Sequence, residues 1–222
     1  MMGSTTQAIG VRARRIFSGA VLLVVFFAAS GSVFAEEDPA ALIDRTVRSA
    51  LDEFLERKEE LTGNNPALLE LLNRTVVPLF DFDRIARLIL ARSWKKAGPE
   101  QREAFAHEFK RLMIATYSLA LFQYTGKEKV RIHEAEIKEK KQRLFATVRT
   151  EVILGDEIEP VPVDYFLIQA AQGESWKIYN LSVAGLNMVI NYRGVFQATI
   201  LDRGLDGTIA SMKESNDRFM NP

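Results

Sequence analysis

The spacing of the apolar residues switches from helical to alternating at Gly126, and that switch bounds the folds open to this chain. Before it, apolar side chains recur every three or four positions, as on one face of a helix. After it they alternate, as on a strand with one buried side. Helices, then consecutive strands, then a helical close is the order of an α+β domain rather than of alternating parallel units. The 222 residues suit one domain or two small ones sharing a core, and no internal repeat or low-complexity linker divides them.

In the helical part, residues 38–60 carry Leu42, Ile43, Val47, Ala50, Leu51, Phe54 and Leu55 at helical spacing between dense charges, which predicts one amphipathic helix. "TGNNPALLELL" breaks it and starts another, with Asn65 as cap candidate and Pro66 at the first helical position. A further start follows at Asp81, with Phe82, Ile85, Leu88 and Ile89 on one face. Gly98, Pro99 and Glu100 open the next helix. Phe105, Phe109, Leu112, Met113, Thr116 and Ala120 line one side of it. Leu119, Leu121, Phe122 and Tyr124 add apolar surface elsewhere, so its last turns need burial on more than one side.

Beyond Gly126 a strand is expected over 129–137, joined by "EIKEKKQR" to the alternating stretch "RLFATVRTEVIL". One face of that stretch holds Leu144, Ala146, Val148, Thr150, Val152 and Leu154, the mark of a half-buried antiparallel strand. "VPVDYFLIQAA" and "SWKIYNLSVA" are apolar on both faces and meet at a turn, Gln172-Gly173. Val163, Tyr165 and Leu167 point one way, Phe166 and Ile168 the other. Both faces need covering, and the remaining segments do not say what covers the second. The chain then closes with "LNMVINYRGVFQATI", apolar in most positions but carrying Asn187, Asn191, Tyr192 and Arg193. It reads as a helix over 186–202 in which Leu186, Met188, Val189 and Val195 pack, followed by Gly204 and a last amphipathic helix.

The first 35 residues read as a leader: Arg12, Arg14 and Arg15, an apolar run of about 14 residues over 16–29, and Val33-Phe34-Ala35 as a peptidase site. The run is short of the roughly 20 residues that span a bilayer. Cleavage after Ala35 is therefore expected, with Sec export as the default and the Arg14-Arg15 pair as a hint of the twin-arginine route. The mature domain, 36–222, then divides into a mainly helical part (36–126), an antiparallel sheet (127–183) and closing helices (184–222). It contains no Cys, and loss of the leader leaves 26 basic against 29 acidic residues, a balance with no electrostatic case for nucleic acid.

The parts of an active site are scarce. His107 and His133 each sit beside a glutamate among charged residues and read as solvated. Asp81 and Asp83 read as capping, and Gly155 with Asp156, like Gly204 with Gly207, as turns and helix ends rather than a phosphate loop. The run Lys138, Lys140, Lys141 and Arg143 is interleaved with Glu136 and Glu139, as in a solvated hairpin. What remains is an excess of large apolar residues on both sides of the same elements, consistent with a thick core or with a ligand cavity. Tyr117, Tyr124, Tyr165, Tyr179 and Tyr192 stand at apolar positions, where tyrosine brings a polar tip to a pocket rim.

Two blocks carry a family resemblance. "DFDRIARLILARSWKKAGPEQREAFAHEFKRLMIATYSLAL" matches through Asp81-Phe82, Ile85, Trp94, Ala97, Gln101, Phe105, Phe109, Leu112 and Tyr117. "SWKIYNLSVAGLNMVINYRGVFQATILDRG" matches through Trp176, Lys177, Tyr179, Gly185, Tyr192-Arg193, Phe196, Ile200 and Gly204. In this order they resemble the MlaC, or toluene-tolerance, family of periplasmic phospholipid carriers. Ala91 stands where that family usually has Gly, and Asn180 where it has Asp, which leaves open a general carrier or a specialised relative such as a hopanoid-linked paralogue.

The resemblance implies an NTF2-like α+β body, with a twisted antiparallel sheet of about four strands and helices around an apolar cavity. It implies a monomeric, non-enzymatic carrier without a cofactor. Its partners would be phospholipid acyl chains, an inner-membrane ABC transporter complex and an outer-membrane lipoprotein complex. The residues expected on the lipid are Phe82, Ile85 and Ile89; Tyr117, Leu121 and Tyr124; Val148, Val163, Tyr165 and Leu167; and Tyr179, Val183, Met188 and Tyr192. The alternative is an exported protein-docking adaptor with a solid core.

Overall fold

The computed structural model describes residues 37–155, 157–169, 171 and 174–220, apart from the side chains of Leu119 and Ala120. The expected leader with its cleavage site, the Gln172-Gly173 turn and Asp156 lie outside these residues. Helix α1, Pro39–Glu56, begins where the Asp38 carboxylate accepts from the amide of Ala41 at 3.0 Å. The helix expected to run on to residue 60 stops at Arg57 (φ −107°, ψ 11°), and Lys58–Leu61 forms a separate short helix, α2. Arg57 bridges the break by pairing with Glu53 before it and Glu60 after it.

Helix α3, Asn65–Thr75, is capped one residue earlier than its sequence suggests. Asn64 accepts from the amide of Ala67, while the Asn65 side chain donates to the carbonyl of Phe219 at 2.6 Å. After a 3-10 turn, Val77–Leu79, helix α4, Phe82–Leu90, starts with the Asp81 carboxylate accepting from the amide of Arg84 at 2.9 Å. Helix α5, Pro99–Phe122, starts with the reciprocal half of a capping box, the amide of Gly98 donating to the Gln101 side chain at 3.0 Å.

The sheet is antiparallel and has six strands rather than about four. They are β1 (Lys129–Ile132), β2 (Glu136–Lys140), β3 (Arg143–Ile153), β4 (Val161–Gln169), β5 (Lys177–Val183) and β6 (Leu186–Asn187), in the order β1-β3-β4-β5-β6 with β2 also on β3. The strand expected over 129–137 is two strands, because β3 is long enough to pair with β1 along one half and β2 along the other. The β2–β3 turn places Lys141 and Gln142 at φ 53° and 59°, the left-handed pair of a tight hairpin. At the other end, Ala184 and Gly185 turn β5 back into β6. The last helix, α6 (Met188–Met220), therefore starts at Met188 rather than Leu186, capped by Asn187, which accepts from the amide of Ile190 at 3.0 Å.

Among the described residues apolar packing divides into three clusters. Ile85, Ile89, Phe105, Phe109, Met188 and Phe196 join α4, α5 and the first half of α6. Leu42 and Ile43 of α1 lie on Ala146, Val148, Leu167 and Ile178, covering much of the sheet's inner face. Phe54, Leu61, Leu68 and Leu71 form the third, against Leu121 and Phe122 at the end of α5. On the sheet's other face Phe145 and Tyr179 meet edge to face at 6.1 Å, with Phe166 beside them half-buried.

The polar residues of the closing segment fix it in place. Asn180 accepts from the amide of Val189 at 3.1 Å, and the Arg193 guanidinium donates to the carbonyl of Leu88 at 2.9 Å. Met188 and Val189 are buried as expected, but Leu186 and Val195 are exposed, since one lies in β6 and the other on the solvent side of α6. Gly204, at φ 73° and ψ 176°, turns α6 between its two helical halves. Thr116 of α5 is exposed as well, and Ile114 is buried in the same turn.

Candidate ligand cavity

A cavity of about 370 Å³ lies between the inner face of the sheet and the helices. Tyr165 of β4 and Leu181 of β5, opposite one another in register, form its floor. Phe80, Phe82 and Ile85 close one side, and Leu72, Val76 and Val77 another. Met113, Ile114, Tyr117, Ser118 and Leu121 of α5 run along it, with Met188 at the start of α6. Its walls come from all three clusters: Ile85 and Met188 from the first, Tyr165 from the second, Leu72 and Leu121 from the third. The cavity is thus the seam at which the third cluster meets the first two, which share Phe80 and Leu181.

No lining residue is charged, and three carry a hydroxyl: Tyr117, Ser118 and Tyr165. Tyr117 is 45% exposed and marks the side open to water. The nearby Tyr192 hydroxyl is pushed above its ordinary pKa, first by burial and then by Tyr117, against a hydrogen bond with Thr116. Ser118 is buried and donates to the carbonyl of Ala115 at 3.0 Å. Burial alone pushes Tyr165 up to about 12. Such walls suit hydrocarbon and would penalise an ion.

Of the residues named from the sequence, Phe82, Ile85, Tyr117, Leu121, Tyr165 and Met188 line this cavity. Ile89 is fully buried one turn further along α4, inside the helical cluster. Val148 and Leu167 lie on the inner face but beneath α1, which fills the space above them. Val163 and Val183 pair with each other on half-buried positions outside the lining. Tyr124 packs with the third cluster, and Tyr192 stands against Phe109 at 5.1 Å. Tyr179 turns to the outer face, because a register shift at Phe166/Leu167 breaks the alternation that would have placed it beside Leu181.

Sequence reasoning passed over Leu72, Val76, Val77, Phe80, Met113, Ile114, Ser118 and Leu181. A signal existed in "VVPLF", an apolar run in a segment with neither helical nor strand period, since a connecting segment rarely spends such residues on solvent. Among the described residues no group of three or more His, Asp or Glu side chains could hold a metal. The buried Glu108 is consumed structurally, by Arg111 at 2.9 Å and by Asn216 at 2.8 Å.

Residues 44–214 match the profile of the MlaC protein family. The chain belongs to the MlaC family. Toluene tolerance protein ttg2D of Pseudomonas putida is 29% identical over 206 residues, an alignment covering 88% of this chain and 93% of that protein. The intermembrane phospholipid transport system binding protein MlaC of Haemophilus influenzae is 20% identical over 205 residues, covering 92% and 94%. A solved structure of a phospholipid-binding protein from Ralstonia solanacearum, in complex with a phospholipid, superposes with a TM-score of 0.71 at 26% identity. That superposition covers 82% of this chain and 99% of the other. The open antiparallel sheet with helices on its inner face is therefore the fold of that phospholipid-binding protein too.

Proposed function

We propose that this chain is a periplasmic phospholipid carrier, which encloses acyl chains in the seam between sheet and helices and leaves the headgroup towards water near Tyr117. The observation carrying this reading is the uncharged lining of a cavity of about 370 Å³, in an MlaC-family chain that superposes on a phospholipid-bound protein. In this reading residues 1–35 are an export leader, removed to free a single mature domain over 36–222. The monomeric carrier works between an outer-membrane lipoprotein complex and an inner-membrane ABC transporter complex, maintaining outer-membrane lipid asymmetry. No residue performs covalent chemistry: the walls replace the bilayer's own hydrocarbon surroundings, so the tails exchange one apolar environment for another. Native mass spectrometry of the mature protein, before and after organic extraction and after incubation with phospholipid vesicles, tests the proposal. The expected result is a phospholipid mass that extraction removes and vesicles restore. A folded protein that neither arrives with lipid nor takes it up would refute it.

A further inference from the structure

Every hydroxyl of the cavity except one is accounted for. Ser118 spends its proton on the carbonyl of Ala115, and Tyr117 reaches water. Tyr165 has no hydrogen-bond partner among the described residues, and its cross-strand neighbours in register, Val148 and Leu181, are apolar. Tyr165 is half-buried and lines the cavity. A phenylalanine would pack in the same place without the cost of an unpaired donor, and buried polar groups are nearly always paired.

Water does not solve the problem once the cavity is filled. A buried water needs two to four polar partners, and the one other buried hydroxyl of the lining has its proton committed. The missing acceptor must therefore arrive with the ligand. In a phospholipid the acceptors are the oxygens of the headgroup phosphate and the ester carbonyls at the head of each tail. A phosphate would bring its charge to a lining without a cation, whereas an ester carbonyl is neutral and accepts one hydrogen bond.

Resting on the carrier reading, we infer that the Tyr165 hydroxyl donates to an ester carbonyl of the bound lipid, and so fixes how far the tails enter. Tyr165 is then a specificity residue for acyl esters over tails without a carbonyl. The phenol remains a donor throughout the physiological range, because burial holds its proton on.

The test is a double comparison in the delipidated mature protein: wild type and Tyr165→Phe, each with diacyl phosphatidylcholine and with a dialkyl ether phosphatidylcholine of equal chain length. Wild type should bind the ester lipid about fivefold more tightly, and Tyr165→Phe should bind both at about the ether level, a coupling the size of one hydrogen bond. Equal losses for both lipids would reduce Tyr165 to packing, and an unchanged ester preference would assign the carbonyl to another donor; either overturns the inference. If wild type binds neither lipid, the carrier reading itself fails. Thermal unfolding of both proteins without lipid checks that the substitution leaves the fold intact.

Discussion

Leu72→Gln separates a lipid cavity from a solid core. Leu72 is half-buried on α3 and faces the cavity beside Val76, Val77 and Phe80. Glutamine has nearly the helix propensity of leucine, so α3 should form as before. In the empty protein, water in the cavity hydrates the new amide. When acyl chains enter, that water leaves, and the nearest walls are valine and phenylalanine. Burying such an amide without a partner costs about 1–3 kcal/mol, so lipid affinity should fall about five- to 150-fold while the fold persists. The assay is displacement of a fluorescent acyl probe from delipidated protein, with thermal unfolding measured on the same samples. Phe166→Gln is the control, a half-buried residue on the sheet's outer face, which should leave affinity within about twofold. A folded Leu72→Gln protein with undiminished affinity would show that the tails do not occupy this cavity.

Ala91 closes α4 at φ 49° and ψ −105°, a region that costs a residue with a Cβ about 1–3 kcal/mol. Ala91→Gly relieves that strain and loses about 0.5–1 kcal/mol to the freer unfolded chain, so urea unfolding should show a net gain of about 1 kcal/mol; lower stability would contradict it. For Tyr165 the folded pKa, about 12, lies above the ordinary 10, so its contribution is complete below pH 10 and is lost as pH rises from 10 towards 12. Stability measured across that window should fall less steeply in Tyr165→Phe than in wild type, and identical slopes would refute the assignment. Reversing Lys140 and Lys141 to Glu on the exposed β2–β3 hairpin should slow lipid delivery to membranes bearing the partner complexes, least so at high salt, with bound lipid unchanged. Equal delivery rates at low salt would remove this hairpin from the docking surface.

Local chemistry was legible wherever one residue type settles a local geometry. Asp81 caps α4, Pro99 opens α5, Gly204 turns α6, and the alternation of β3 divides core-facing Ala146, Val148 and Thr150 from Thr147 and Arg149. Relations between distant segments were not. Leu167 alternates correctly onto the inner face, but only the docking of α1 decides that it is core rather than cavity. Tyr179 changes face through a one-residue shift in pairing that composition does not encode. Nothing in the charged stretch around His107 marks Glu108 as buried. Its burial comes from Asn216, 108 residues later. The six site residues that reach the cavity belong to helices or strands whose period was plain, whereas "VVPLF" supplies a wall from a segment without one.

The position of the cavity at a seam bears on how a carrier can let go. Two acyl chains hold about 30 methylenes, and exposing them at roughly 0.8 kcal/mol each would cost more than 20 kcal/mol, so release into water is very slow. In the proposed function release follows a continuous apolar path offered by a docked partner, which would require the cavity to open while the protein remains folded. Close-packed interiors do not open gradually, because a gap of even a fraction of an ångström forfeits much of the contact energy. Here the third cluster shares no side chain with the other two, whereas Phe80 and Leu181 join the first to the second. Parting Leu72 and Leu121 from Ile85 and Met188 enlarges the space while Phe105 remains on Phe109 and Leu42 on the sheet. A cavity of about 370 Å³ stands near the lower end of the roughly 300–1,000 Å³ of small-molecule sites, so it has reason to widen when two tails enter. Under that proposal the same seam serves loading and release. In the function proposed here, direction would follow from which partner complex is docked, since the uncharged walls favour neither membrane.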